Sequence, residues 1–143
     1  MLFCDTSTLA KFYVPERESA TVRARLEAED RVVLSELARA ELMGVFHRRL
    51  REKQWTRPEF QAVVRQFQKD DNSGYWTWAP LDGAIIGQAA QAYATLPADV
   101  FLRTADCLHL VTAIHHNFAE IHTHDAHQLK ASAAMGLKPV TIA

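Results

Sequence analysis

Leu2-Phe3-Cys4-Asp5-Thr6-Ser7-Thr8-Leu9 joins an apolar run to an acid and then to three hydroxyl side chains. Hydrophobic residues that stop at a carboxylate and pass into capping side chains predict a strand running into a helix. Asp5 then stands at the C-terminal end of a strand, where open α/β sheets place their ligand sites. Side-chain alternation turns Cys4 away from Asp5 and into the core. The same pattern recurs late in the chain. Ala119 to Thr123 reads as a strand, His124-Asp125 ends it, and Gln128 to Met135 reads as a helix stopped by Gly136.

The segments between these two strand ends alternate in the same way. Thr6 or Ser7 is expected to cap a short helix through Leu9, Phe12 and Tyr13, closed by Pro15. Ser19 to Ala28 reads as a second helix and Arg31 to Ser35 as a strand. Ser35 to about Lys53 reads as a long helix with Leu34, Leu37, Ala38, Leu42, Val45 and Phe46 on its apolar stripe. Thr56-Arg57-Pro58-Glu59 combines a Thr cap, a first-turn Pro and a Glu three residues after the cap, a strong helix start. Tyr75 to Ala79 reads as a strand closed by Pro80. Helices follow over Asp82 to Leu96 and Arg103 to about His116, and Lys138 to Ile142 is a last strand. Such alternation predicts one α/β domain over residues 1–143: a three-layer α/β/α sandwich with a central, mainly parallel sheet.

Composition excludes several classes. Hydrophobic residues at 48% and charged residues at 23% suit an ordinary globular domain able to bury a core. Asp5 interrupts the N-terminal apolar run, so no signal peptide is expected. The longest uncharged stretch, Gly83 to Ala98, carries Gln88 and Gln91 and breaks at Pro97, which excludes a membrane span. Cys4 and Cys107 make no disulfide framework, which suits a reducing cytosol and a cytoplasmic protein. The net charge of −1 excludes a broadly basic nucleic-acid binder, but the segment from His47 to Lys69 is locally basic. Arg48, Arg49 and Arg51 on it are either a phosphate-binding face or a solvated helix surface.

The acids carry more. If the strands ending at Asp5 and Asp125 are neighbours, both carboxylates reach one sheet edge, and the Thr123 hydroxyl points to the same side. Glu41 and Asp106 lie within otherwise apolar helix faces, where a charge is rarely buried unless something pairs with it. Four carboxylates together would repel one another and raise their pKa values unless a hard divalent cation sits among them. The plainer reading makes Asp5 a helix cap and pairs Glu41 with Arg39 or Arg103.

Phe3-Cys4-Asp5-Thr6-Ser7 resembles the opening Asp-x-Ser of PIN-domain nucleases. Leu34 to Leu42 resembles their second motif, ending on Glu41. Leu102-Arg103-Thr104-Ala105-Asp106-Cys107-Leu108-His109-Leu110 is similar to their third, and Thr123-His124-Asp125 to their fourth. The match in size and order spans essentially the whole chain and is closest to the VapC toxins of VapBC toxin–antitoxin modules. This resemblance implies a Mg²⁺-dependent endoribonuclease, with Mn²⁺ as a substitute ion. Asp5, Glu41, Asp106 and Asp125 would be metal ligands and catalytic acids, supported by Ser7, Thr104 and Thr123. It also implies a homodimer and a small VapB-like antitoxin that blocks the site. Cys107 departs from a common Ala, and His124 from a small polar residue beside the fourth acid.

Two other features point less far. Five of the seven histidines fall between His115 and His127, but zinc wants about four ligands in closed geometry. His124 or His127 is instead a candidate neighbour of the RNA path. Trp76 and Trp78 share a strand face and are expected in the core, and Phe12, Tyr13 and Val14 form a candidate partner patch. The rivals to the nuclease are a catalytically silent PIN-like module that binds RNA or protein and an Asp-based phosphotransfer protein. The second fits poorly, because Ser7 stands where an Asp-nucleophile phosphatase carries a second Asp.

Overall fold

The computed structural model describes residues 1–143. Its strands are β1 (Leu2–Phe3), β2 (Val32–Ser35), β3 (Thr77–Ala79), β4 (Glu120–His122) and β5 (Lys138–Val140). Its helices are α1 (Thr6–Tyr13), α2 (Ser19–Glu27), α3 (Leu37–Arg51), α4 (Arg57–Asn72), α5 (Gly83–Thr95), α6 (Thr104–His115) and α7 (Ala126–Ala134). β1, β2 and β3 pair in parallel in that order, and β4 pairs in parallel with β5. A parallel bridge between Cys4 and His122, with the Asp5 amide donating to the His122 carbonyl at 3.1 Å, joins the two sets. The strand order across the molecule is therefore 3-2-1-4-5.

Both faces of this sheet are covered, because alternate residues of each strand feed different cores. Leu2, Cys4, Val32 and Leu34 pack with α1, α2, α3 and α4 around Tyr13, Phe46, Phe67 and Trp76. Phe3, Val33, Ala79 and Ile121 pack on the other side with α5, α6 and α7 around Ile85, Leu110 and Ala131. That is the predicted α/β/α sandwich, and the near-continuous apolar strands are what a parallel sheet buried on both faces requires.

Local rules set the helix ends. Thr56 accepts from the Glu59 amide at 3.3 Å while the Glu59 carboxylate accepts from the Thr56 amide at 3.0 Å, so α4 opens on a full capping box. Asp82 caps α5 through the Ile85 amide. Gly136, at φ +81, takes the left-handed turn that lets α7 reverse into β5. Three expectations need correction. Asp5 itself caps α1, accepting from the Thr8 amide at 3.3 Å, so neither Thr6 nor Ser7 does. α3 starts at Leu37 with Glu36 at its N-cap position, although the Ser35 hydroxyl does accept from the Leu37 amide at 3.2 Å. Tyr13 and Val14 are core residues and not a partner patch: the Tyr13 hydroxyl takes the Trp76 indole N–H at 2.8 Å and donates to Asp70 at 2.6 Å. Trp76 is buried as expected, and half-buried Trp78 is held by its indole N–H on Asp71.

Candidate active site

The strand order reverses direction between β1 and β4, and in open α/β sheets the crevice beyond the carboxyl ends at such a switch point is the ligand site. Asp5 lies two residues beyond the end of β1 and Asp125 three beyond β4, so both acids sit at that crevice. Asp5, Glu41, Asp106 and Asp125 all line one cavity of about 540 Å³, together with Ser7, Arg48, Arg103 and His109. Ridge residues Ala38, Leu42 and Phe46 are fully buried in α3, which turns the flanking Glu41 toward α1 and α6.

Each acid is held differently. Asp5 is 3% exposed and accepts from the Ser7 and Thr123 hydroxyls at 2.6 Å each, besides the Thr8 amide. Burial pushes its carboxyl above the usual carboxylate range, even though His109 and these donors pull the other way. Thr123 in turn accepts from the Asp125 amide at 3.1 Å, so one hydroxyl fixes both strand-end acids. Glu41 accepts from the Thr6 hydroxyl at 2.7 Å and from His109 Nε2 at 2.5 Å. Burial raises the Glu41 carboxyl, but the His109 contact and Thr6 outweigh it and hold the group below its usual range. Burial likewise lowers the His109 imidazole, and Glu41, Asp5 and Asp106 outweigh it, so the ring titrates above its ordinary value. An ionised carboxylate only accepts, so the proton in this pair belongs to Nε2, which leaves buried Nδ1 without a partner.

Arg103 governs the other two acids. Its Nε lies 3.1 Å from Asp106 Oδ2, and its guanidinium reaches Asp125 Oδ2 at 3.6 Å. The second oxygen of Asp125 caps α7, accepting from the His127 amide at 2.9 Å and the Gln128 amide at 3.0 Å. The plainer partner for Glu41 is therefore wrong: Arg39 pairs with Asp71 and Glu36, and Arg103 with Asp106 and Asp125. Mutual repulsion does not raise every acid either, since Glu41 moves down under the influence of His109.

The donor set suits a hard cation: carboxylate and hydroxyl oxygens line the crevice, and its one imidazole is committed to Glu41. The side chains do not close into a ready cage, as no three acidic, His or Cys groups converge to clasp an ion. Of the supporting residues, Ser7 and Thr123 hold Asp5, whereas Thr104 is exposed at the first turn of α6 and does not line the cavity. Arg48 lines it; Arg49 lines an adjoining groove and is tied to Glu16 at 2.7 Å, and Arg51 lines neither. His124 also borders that groove but acts as a clasp, its ring bonding the Thr8 hydroxyl and the Ile142 carbonyl. His109 and Arg103 also line the cavity, a role that the sequence pattern alone did not assign to them. His109 was visible as a histidine one turn after Asp106 on an apolar helix, where burial demands a partner.

The sequence matches the PIN domain profile over residues 2–134. No curated protein matches it. Among solved structures, FitAcB from Neisseria gonorrhoeae is similar at a TM-score of 0.74 and 19% identity, covering 97% of this chain and 96% of that one. VapC20 from Mycobacterium tuberculosis, described as a sarcin–ricin loop cleaving toxin, is similar at a TM-score of 0.71 and 14% identity, covering 96% of each chain. FitAB bound to an IR36 DNA fragment gives a TM-score of 0.61 at 20% identity, covering 99% of this chain and 94% of that one. With a profile match over nearly its full length and the PIN-like parallel sheet beneath it, the chain belongs to the PIN-domain family.

Proposed function

We propose that this protein is a divalent-metal-dependent endoribonuclease acting in the cytoplasm as the toxin of a type II toxin–antitoxin pair. The observation that carries the reading is that carboxylates from four separate segments line a single crevice at the sheet's switch point. Similarity to a VapC toxin that cleaves the sarcin–ricin loop supports RNA as the substrate class. Similarity to FitAB supports a small antitoxin partner, and a homodimer completes the assembly proposed.

Asp5, Glu41, Asp106 and Asp125 would hold Mg²⁺ or Mn²⁺. Such an ion, when bound, polarises phosphoryl oxygens and makes water more acidic. The chain's own residues supply position and charge. Thr6 and His109 fix one oxygen of Glu41, and Ser7, Thr123 and the Thr8 amide fix both oxygens of Asp5. Held this way, both carboxylates meet a cation with little reorganisation. Arg48 and Arg103 on the cavity wall offer guanidinium groups to a phosphate of the bound strand.

Asp106→Asn tests the reading, because it keeps the shape of the side chain and removes its charge. Mg²⁺-dependent RNA cleavage should fall on the order of 10²-fold or more, with the fold retained. A destabilised variant with full specific activity would reduce Asp106 to a salt-bridge partner. The other reading, a silent RNA- or protein-binding module, draws on the position of Arg103 across Asp106 and Asp125. Wild-type protein that binds RNA yet leaves it intact with both Mg²⁺ and Mn²⁺ would select that module.

A further inference from the structure

Arg103 is the N-cap residue of α6, yet its side chain makes no capping bond. Instead it folds back over the crevice, with Nε 3.1 Å from Asp106 and the guanidinium 3.6 Å from Asp125. The two acids it spans come from different segments, one from the first turn of α6 and one from the β4–α7 junction. Asp106 is nearly buried, while the arginine stays more than half exposed and free to swing outward. Every other cation near the crevice is engaged elsewhere: Arg48 with Glu52, Arg49 with Glu16, and Lys11 with Glu16 and Glu18.

We propose that Arg103 is a resident counter-ion, which neutralises Asp106 and Asp125 in the metal-free protein and gives them up when a divalent cation binds. The inference rests on the metal-site reading above and adds a competitor to it. A planar guanidinium can span two carboxylates that would otherwise repel, so the crevice stays assembled before the metal arrives. Because metal and arginine use the same oxygens, each weakens the other, and Arg103 sets the metal concentration at which the site fills. Once displaced, the guanidinium remains at the cavity mouth, where its N–H groups can donate to a phosphate oxygen.

The test measures Mn²⁺ binding to the intact chain without RNA, by calorimetry and by loss of the free-ion EPR signal. Arg103→Gln should bind Mn²⁺ roughly two- to fivefold more tightly than wild type. It should also melt at a lower temperature in EDTA, with Mn²⁺ restoring the difference. Arg48→Gln removes an equal charge from the same wall at a residue paired with Glu52 and with none of the four site acids, and should leave Mn²⁺ affinity nearly unchanged. Equal tightening in both variants would reduce the effect to the general field and overturn the proposal. Unchanged or weaker binding in Arg103→Gln would overturn it too, by making the arginine a support of the site. Absence of Mn²⁺ binding by wild type would sink the metal site as well, and so separates the two failures. If Arg103→Gln fails to fold, Arg103→Lys serves, since a lysine keeps the charge and loses the two-carboxylate span.

Discussion

At Asp125 one carboxylate does two jobs with its two oxygens. Oδ1 caps α7, and Oδ2 faces Arg103 across the crevice. Asn caps helices as well as Asp, so Asp125→Asn should keep the melting temperature and lose cleavage. Asp125→Ala should lose both, with about 1 kcal/mol from the missing cap; equal melting temperatures for the two variants would contradict the capping role. The Glu41–His109 pair predicts a pH signature. The imidazole is raised above its ordinary 6.5, so its stabilisation is complete below that pH and is lost as pH rises through the raised value. Glu41 is lowered from its ordinary 4.5, so its contribution is present above that pH and is lost as pH falls through the lowered value. Both are therefore in place between the two ordinary values. In melting curves taken in EDTA, His109→Gln should remove part of the alkaline loss; a variant that loses stability above pH 6.5 as steeply as wild type would sink the pair's role.

Among the elements, α4 shows how stability can be separated from the site. Its capping box lies at an exposed helix start, and Val63, Val64 and Phe67 pack it on the core away from the crevice. Thr56→Ala should cost about 1 kcal/mol and leave cleavage per folded molecule unchanged. Chemical denaturation and a metal-dependent RNase assay on one preparation check both halves. α3 is different, because its buried ridge and its site residue share one helix. Phe46 is fully buried between Tyr13, Trp55 and Phe67, five residues after Glu41 on the same helix. Phe46→Ala should cost about 3–5 kcal/mol, a large part of the roughly 5–15 kcal/mol that holds such a domain together. Loss of cleavage in that variant should track the unfolded fraction.

For the whole molecule, a net charge of −1 gives no long-range attraction to RNA. Two arginines of the basic segment already sit in ion pairs, Arg48 with Glu52 and Arg49 with Glu16, which partly offsets its charge. Binding to a non-cleavable RNA should therefore show a shallow salt dependence. Arg48→Gln should reduce the slope of log K against log salt by about 0.7, one phosphate contact to a single strand. Arg51→Gln, which lines no part of the crevice, should leave the slope as it is. A drop at Arg51 equal to that at Arg48 would move the RNA path off the cavity and onto the outer face of α3.

The sequence by itself determined the layered class and the succession of elements along the chain. Apolar strands ending on Asp5 and near Asp125, the Thr56 capping box and the Asp82 cap are local signals, and each is set by rules that act within a few residues. The four acids were legible for the same reason: charge at a strand end or on an apolar helix face stands out against its neighbours. Tertiary structure alone decided what each acid touches. Glu41 and His109 are 68 residues apart, and Thr123 lies 118 from Asp5, so no local pattern could announce those hydrogen bonds. It also decided which cations are free, since Arg49 is cancelled by Glu16 from a distant loop and Arg103 is turned inward over two acids. Side-chain partners across a parallel sheet depend on strand order and register, and the 3-2-1-4-5 order that joins Asp5 to Asp125 exists only once β1 has met β4.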